Sequence, residues 1–203
     1  AGLQAIATCR RLGAVVEAYD VRPAVREQVE SLGARFVEVG IESAEQQDAG
    51  GYAKELTEDA VKREHEVLGQ HIADSDVVIT TAAVPNRKAP ILVTRDMVEG
   101  MRHGSLIVDL AAATGGNCEL TRAGEDVQHN GVLILGPVDI PGEVPGQASQ
   151  LYSHNVTRFL AQIVKDGAVS LDFEDEVVRQ TCMTHEGKPM GEQIESLLQG
   201  GAG

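Results

Sequence analysis

The chain has 203 residues, with 17 Lys and Arg against 31 Asp and Glu, for a formal net charge of −14. That balance argues against a nucleic-acid surface and against direct binding to anionic lipid. Hydrophobic residues make up 42% and aromatics only 3%, so the core must be built from Val, Ile, Leu and Ala, a composition that suits a parallel sheet buried on both faces.

Helical and strand signals alternate from the start. Residues 1–12 read as a helix stopped by Gly13, and 14–19 as a strand. Pro23 suits the first turn of a helix running to Leu32, with Gly33 as its C-terminal stop. Residues 35–39 form the next strand. Residues 40–56 are polar and carry Gly50-Gly51, which reads as a long loop of the kind often tied to function. Thr57 caps a helix to Ala73, with Glu58 and Asp59 in its first turn. Residues 76–81 read as a strand, 94–101 as a helix, 105–111 as a strand and 132–135 as another. The alternation is that of a Rossmann-type, doubly wound parallel α/β sheet.

The pattern changes after Gly136. Pro137, Pro141, Gly142, Pro145 and Gly146 form a hinge-like stretch. Residues 148–164 follow as a long amphipathic helix, with Leu151, Val156, Phe159, Leu160 and Ile163 as its expected buried stripe. Segments 168–173 and 177–183 come next, and the tail from Glu186 reads as linker or disordered chain. The expected division is 1–143 as a dinucleotide-binding domain, 144–185 as a long helix and return segment to a second domain, and 186–203 as tail.

The segment 1–20 ends on an acid, Asp20, after a helix, a Gly turn and a short β-run. This is the second half of a dinucleotide-binding βαβ unit. The Asp20 carboxylate would accept hydrogen bonds from the adenosine ribose hydroxyls and repel a 2′-phosphate, which favours NAD(H) over NADP(H). Gly2 takes the place of the last glycine of G-x-G-x-x-G, about 20 residues before the acid. The first strand and first two glycines are missing, so the chain reads as N-terminally truncated within its own fingerprint.

Ligands of open α/β sheets bind outside the carboxyl ends of the strands. Four such ends stand out. They are Asp20-Val21-Arg22, the run Thr80-Thr81-Ala82-Ala83-Val84-Pro85, the run from Asp109 to Cys118, and Gly136-Pro137-Val138-Asp139. Small residues after Thr80 let a nucleotide lie on the backbone. Gly115-Gly116 is either a plain turn or a close approach to a flat ring, and Asp109 either caps the next segment or belongs to the site. The six His show no metal spacing, so no metal is expected. Cys9, Cys118 and Cys182 are far apart and read as free thiols. The longest apolar runs, such as 132–135, fall far short of the ~20 residues of a membrane helix.

The strings AGLQAIAT, YDVRP, EQVESLGARF, GGYAKEL, TTAAVP, DLAAATGGNCE and QASQLYSHNVTRFL together resemble the NAD(H)-binding alpha subunit of the proton-translocating NAD(P) transhydrogenases, within the alanine dehydrogenase/transhydrogenase superfamily. The resemblance implies that Asp20, Val21 and Arg22 line the adenosine ribose. It places Gly51 and Tyr52 on a mobile loop closing over NAD(H), and Thr81, Ala82 and Ala83 against the nucleotide. Gly2 stands in the fingerprint, and Glu64 where relatives carry Gln. It implies NADP(H) on a partner subunit, a membrane domain that moves protons, a homodimer, and a cytoplasmic place peripheral to the inner membrane through those partners. No catalytic residue is assigned to this chain. Alanine dehydrogenases carry an Asp where Ala113 stands here, and amino-acid oxidation needs such an acid–base group. Hydride exchange between two nicotinamides does not. The competing expectations are an alanine dehydrogenase-like oxidoreductase and a non-catalytic NAD(H)-sensing module.

Overall fold

The computed structural model describes residues 1–39, 58–84, 87–190 and residue 194. The chain divides into two compact units, Ala1–Asp139 and Ile140–Gly203.

In the first unit, helix α1 (Gly2–Arg11) ends with Arg10 and Arg11, cations that suit the negative end of the helix dipole. Strand β1 (Glu17–Ala18) and strand β2 (Arg35–Phe36) pair in parallel, Glu17 opposite Arg35 and Ala18 opposite Phe36. Between them lie a 3-10 turn (Pro23–Val25) and helix α2 (Arg26–Ser31). Both strands are shorter than their sequence patterns predict. Helix α3 (Glu58–Asp74) leads into β3 (Val77–Thr80). Helix α4 (Arg95–Glu99) is capped by Thr94, whose hydroxyl accepts from the Met97 N–H. Strands β4 (Leu106–Asp109), β5 (Asp126–His129) and β6 (Val132–Leu135) complete a four-stranded sheet ordered β3-β4-β6-β5. Strands β3, β4 and β6 run parallel, and β5 is an antiparallel edge.

The edge strand β5 is not predicted from sequence. Its residues, Asp-Val-Gln-His, hold a single aliphatic side chain. The legible signal was the turn after it: Asn130 and Gly131 sit at φ 47° and 75°, as a tight two-residue hairpin requires.

The main core joins Val98 on α4, Ile107 on β4 and Val132 and Ile134 on β6, all fully buried, with Leu68 and Ile72 of α3 and Val37 just past β2. A smaller cluster of Ile6, Val29 and Ala34 packs α1 and α2 over the β1–β2 pair. Apart from Met97, Met101 and Cys118, these interiors are aliphatic, as the composition required.

In the second unit, a short helix α5 (Ile140–Glu143) precedes the long helix α6 (Pro145–Ile163), which has Pro in its first turn. Strands β7 (Val164–Lys165) and β8 (Ala168–Val169) form a hairpin, α7 (Glu176–Thr181) follows, and β9 (Thr184–His185) pairs antiparallel with β10 (Lys188–Pro189). The tail therefore does not lose structure at Glu186. Glu186 and Gly187 adopt φ 49° and 75°, the geometry of a hairpin turn, and regular pairing continues to Pro189. The stripe on α6 is uncovered in this chain, as expected of a face meant for a second domain: no residue of that helix is buried and Leu151 is 67% exposed. Among the described residues no helix is long and apolar enough to cross a membrane.

Candidate dinucleotide site at the strand ends

The first predicted group is already an ion pair. Arg22 donates from Nε to Asp20 Oδ1 at 2.9 Å and from Nη2 to Oδ2 at 2.8 Å, and its backbone N–H reaches Oδ1 at 2.9 Å. The turn after β1 brings the two side chains together, two residues apart. The Asp20 hydrogen bond holds the Arg22 guanidinium above its ordinary pKa, against the opposing effect of burial. Asp20 keeps acceptor capacity on Oδ2, and its side chain is 25% exposed. A ribose diol fits that remaining acceptor. A 2′-phosphate meets a carboxylate, while the nearby guanidinium is occupied.

The second group is set by close packing. Gly2 opens α1 beside Thr81, and a Cβ at Gly2 would lie 3.2 Å from the Thr81 hydroxyl. A side chain there would push the helix start away from the end of β3, which is the packing role of the third fingerprint glycine. Among the described residues no hydrogen bond links Asp20 or Arg22 to the Thr81–Ala83 segment. Val21 is partly buried and Ala83 exposed. Gly51 and Tyr52 lie outside the described residues. Glu64 falls within α3, and its side chain lies outside them too.

Beneath this second group is a polar hub that the sequence reading left undecided. Asp109, at the end of β4, is fully buried. Its Oδ1 accepts from the Thr80 hydroxyl at 2.9 Å and the Ala111 N–H at 3.1 Å. Its Oδ2 accepts from the N–H groups of Asn117 at 2.7 Å and Cys118 at 3.0 Å, and from the Thr121 hydroxyl at 2.7 Å. The donors are all neutral. They replace hydration around a buried carboxylate, which is otherwise costly to bury. Asp109 does not cap the 3-10 turn Ala112–Thr114, whose N-cap is Ala111 with no side-chain cap bond; it accepts from the Ala111 N–H just before the turn and ties β3 to the residues beyond it.

Gly116 makes this possible. At φ 79° it turns the chain back, and a Cβ on it would lie 2.8 Å from Asp109 Oδ2. Of the two openings the sequence left, a plain turn or an approach to a flat ring, Gly116 makes a turn whose close approach is to Asp109. At Gly115 the neighbour is the stem of Lys88, 2.9 Å from where a Cβ would stand. Asn117 then turns its own amide, fully buried, onto the segment after β3. Oδ1 accepts from the Ala82 N–H at 3.0 Å, and Nδ2 donates to the carbonyls of Ala82 and Pro90, each at 2.8 Å. Asn117 was legible only as a member of a string. Its role depends on residues 27 and 35 positions away.

Cys118 is buried, and burial raises its thiol pKa, so it is an unreactive packing residue. A cleft of about 420 Å³ lies elsewhere, between Arg95, residues 119–122 and β5. It holds none of the predicted site residues, and strand-end chemistry outweighs its size. Among the described residues no cluster of His, Cys, Asp or Glu could hold a metal ion.

The family model for the alanine dehydrogenase/PNT C-terminal domain matches residues 1–192. The chain belongs to this family. Within it, the chain is 45% identical over 191 residues to NAD(P) transhydrogenase subunit alpha of Haemophilus influenzae, covering 93% of this chain and 37% of that protein. The solved transhydrogenase from Sinorhizobium meliloti superposes with a TM-score of 0.72 at 46% identity, covering 93% of this chain and 49% of that one. Alanine dehydrogenase 1 of Staphylococcus aureus is more distant, 28% identical over 140 residues, covering 67% of this chain and 38% of that protein. The resemblance read from the sequence strings is thus upheld, and the Rossmann-type α/β class with it. The chain spans less than half the length of these transhydrogenase relatives.

Proposed function

We propose that the chain is the NAD(H)-binding component of a proton-translocating NAD(P) transhydrogenase. The observation that carries this reading is the character of the turn after β4. Ala111-Ala112-Ala113 offers no acid or base, and the one carboxylate there, Asp109, is buried and saturated with donors. Oxidising an amino acid needs a positioned proton acceptor. Moving a hydride from NADH to NADP⁺, giving NAD⁺ and NADPH, needs only two nicotinamides in contact with water excluded.

In this reading Asp20, Val21 and Arg22 hold the adenosine ribose, Gly2 sets the helix start, and Thr81, Ala82 and Ala83 form the nucleotide contact. Gly51, Tyr52 and Glu64 are assigned to the same site on the resemblance alone. NADP(H) sits on a partner subunit, and proton movement belongs to a partner membrane domain. The subunit acts as a homodimer on the cytoplasmic side of the inner membrane, peripheral to it through those partners. The exposed stripe on α6 supports association of this kind.

Fluorescence titration with NADH and NADPH tests the reading. Saturable NADH binding with clearly weaker NADPH binding is expected, and equal affinities would overturn it. Alanine-dependent reduction of NAD⁺ would favour the alanine dehydrogenase alternative instead. Light scattering tests association separately, with a clean monomer near 21.5 kDa counting against the dimer.

A further inference from the structure

We infer that Asn117 is a positioning residue for the nucleotide contact, holding the Ala82–Ala83 backbone in its binding geometry from below. The inference rests on the NAD(H) reading above. Its basis is a two-step linkage. Asp109 fixes the Asn117 backbone through a 2.7 Å bond, and the Asn117 side chain fixes Ala82 through both its N–H and its carbonyl. The side-chain amide stands in for a neighbouring strand, pairing with Ala82 as a backbone peptide would. A third bond, to the Pro90 carbonyl, anchors the far end of the same connection.

Several features point to positioning beyond mere filling. The segment after Thr80 leaves the sheet, so its peptide groups have lost ladder partners there. Asn117 supplies two of them at one residue. Ala82 and Ala83 carry only methyl side chains and cannot lock their own conformation by packing. Thr81, just before them, has a half-buried side chain against Gly2. A backbone surface meant to lie against a ligand must be held from its other side, and Asn117 is the fully buried group that does so.

The test compares NADH binding by the full chain with that of Asn117→Ala and Val98→Ala. Val98 is a fully buried core residue of α4 and makes none of the hydrogen bonds to Ala82, so its truncation controls for lost stability alone. Asn117→Ala is expected to weaken NADH binding about tenfold or more, since a site loosened by about 1 Å loses at least that much. Val98→Ala should stay within about twofold of wild type. Equal affinity for wild type and Asn117→Ala, or equal losses in both variants, would overturn the inference. If Asn117→Ala does not fold, the wild-type chain carries the test by NMR. The Asn117 side-chain amide and Ala82 backbone amide signals should both shift on adding NADH, and unmoved signals would overturn the inference. A wild-type chain that binds no NADH overturns the functional reading itself, and this inference with it.

Discussion

The two units of the chain use apolar residues in opposite ways. Ala1–Asp139 buries Val29, Val93, Val98, Ile107, Val132 and Ile134 to 2% exposure or less. In the described residues of Ile140–Gly203, Val178 is the single buried hydrophobic, while Leu151, Tyr152, Val169 and Met183 are each more than 60% exposed. The first unit is held by long-range burial between helices and a sheet. The second is held by local devices: a Pro-started helix, an Asp175 cap on α7, and two-residue turns at Asp166-Gly167 and Glu186-Gly187. Local hydrogen bonding can set conformation without forming a core. Stability on the scale of a whole domain needs burial.

The contrast can be broken most sharply at the polar hub. Asp109→Ala leaves three buried N–H groups and two hydroxyls without their acceptor, and should cost about 3–5 kcal/mol by urea denaturation. A loss below about 1 kcal/mol would mean that water or a neighbouring acceptor replaces the carboxylate. Next in size, Ile107→Ala should cost about 2–4 kcal/mol, because the cavity forms in a packed interior. Leu151→Ala on α6 should change stability by no more than about 0.5 kcal/mol. Similar losses at both positions would show that the second unit has a core after all.

Binding is assigned to the first unit, and Asp20→Asn sharpens that assignment. It weakens the ribose acceptor and releases Arg22 from its bidentate pair. The preference for NADH over NADPH should shrink by about 1–3 kcal/mol in paired titrations. An unchanged ratio would remove Asp20 from the site. The smallest effect is at Asp175. Hydrogen bonds from the Val178 and Val177 N–H groups and Gln162 hold its pKa below the usual value. A carboxyl depressed in the folded state stabilises above its unfolded pKa of about 3.9, and that contribution is lost as pH falls through the lower folded value. Acid titration followed by circular dichroism should therefore show α7 and its surroundings loosening slightly earlier in Asp175→Ala than in wild type. Coincident acid transitions would mean that the cap contributes nothing.

Much of this molecule is readable from neighbours in the chain. Aliphatic runs bounded by Gly and Pro located β3, β4 and β6. A helical signal over 94–101 located α4, and the helix, Gly turn and short β-run before Asp20 were legible as α1 and β1. Each signal lies within about one element of what it predicts, because periodicity, caps and turn chemistry act over a few residues. The candidate site was half legible. Asp20 and Thr81 stood out by type and place, whereas the Arg22 grip on Asp20 and the Asn117 grip on Ala82 did not.

Tertiary structure alone decided the rest. Asp109 could cap the next turn or join a wider network, and only the arrival of Thr80 from β3 and of Asn117 and Thr121 from the stretch after the 3-10 turn made it a hub. The polar strand β5 formed because β6 offered it an edge, overriding its weak β-propensity. The stripe on α6 reads from sequence as a face to be covered by a second domain or copy, and in this chain it is exposed. A hydrophobic pattern specifies that a surface should be covered, and only the packing of distant segments determines whether anything covers it.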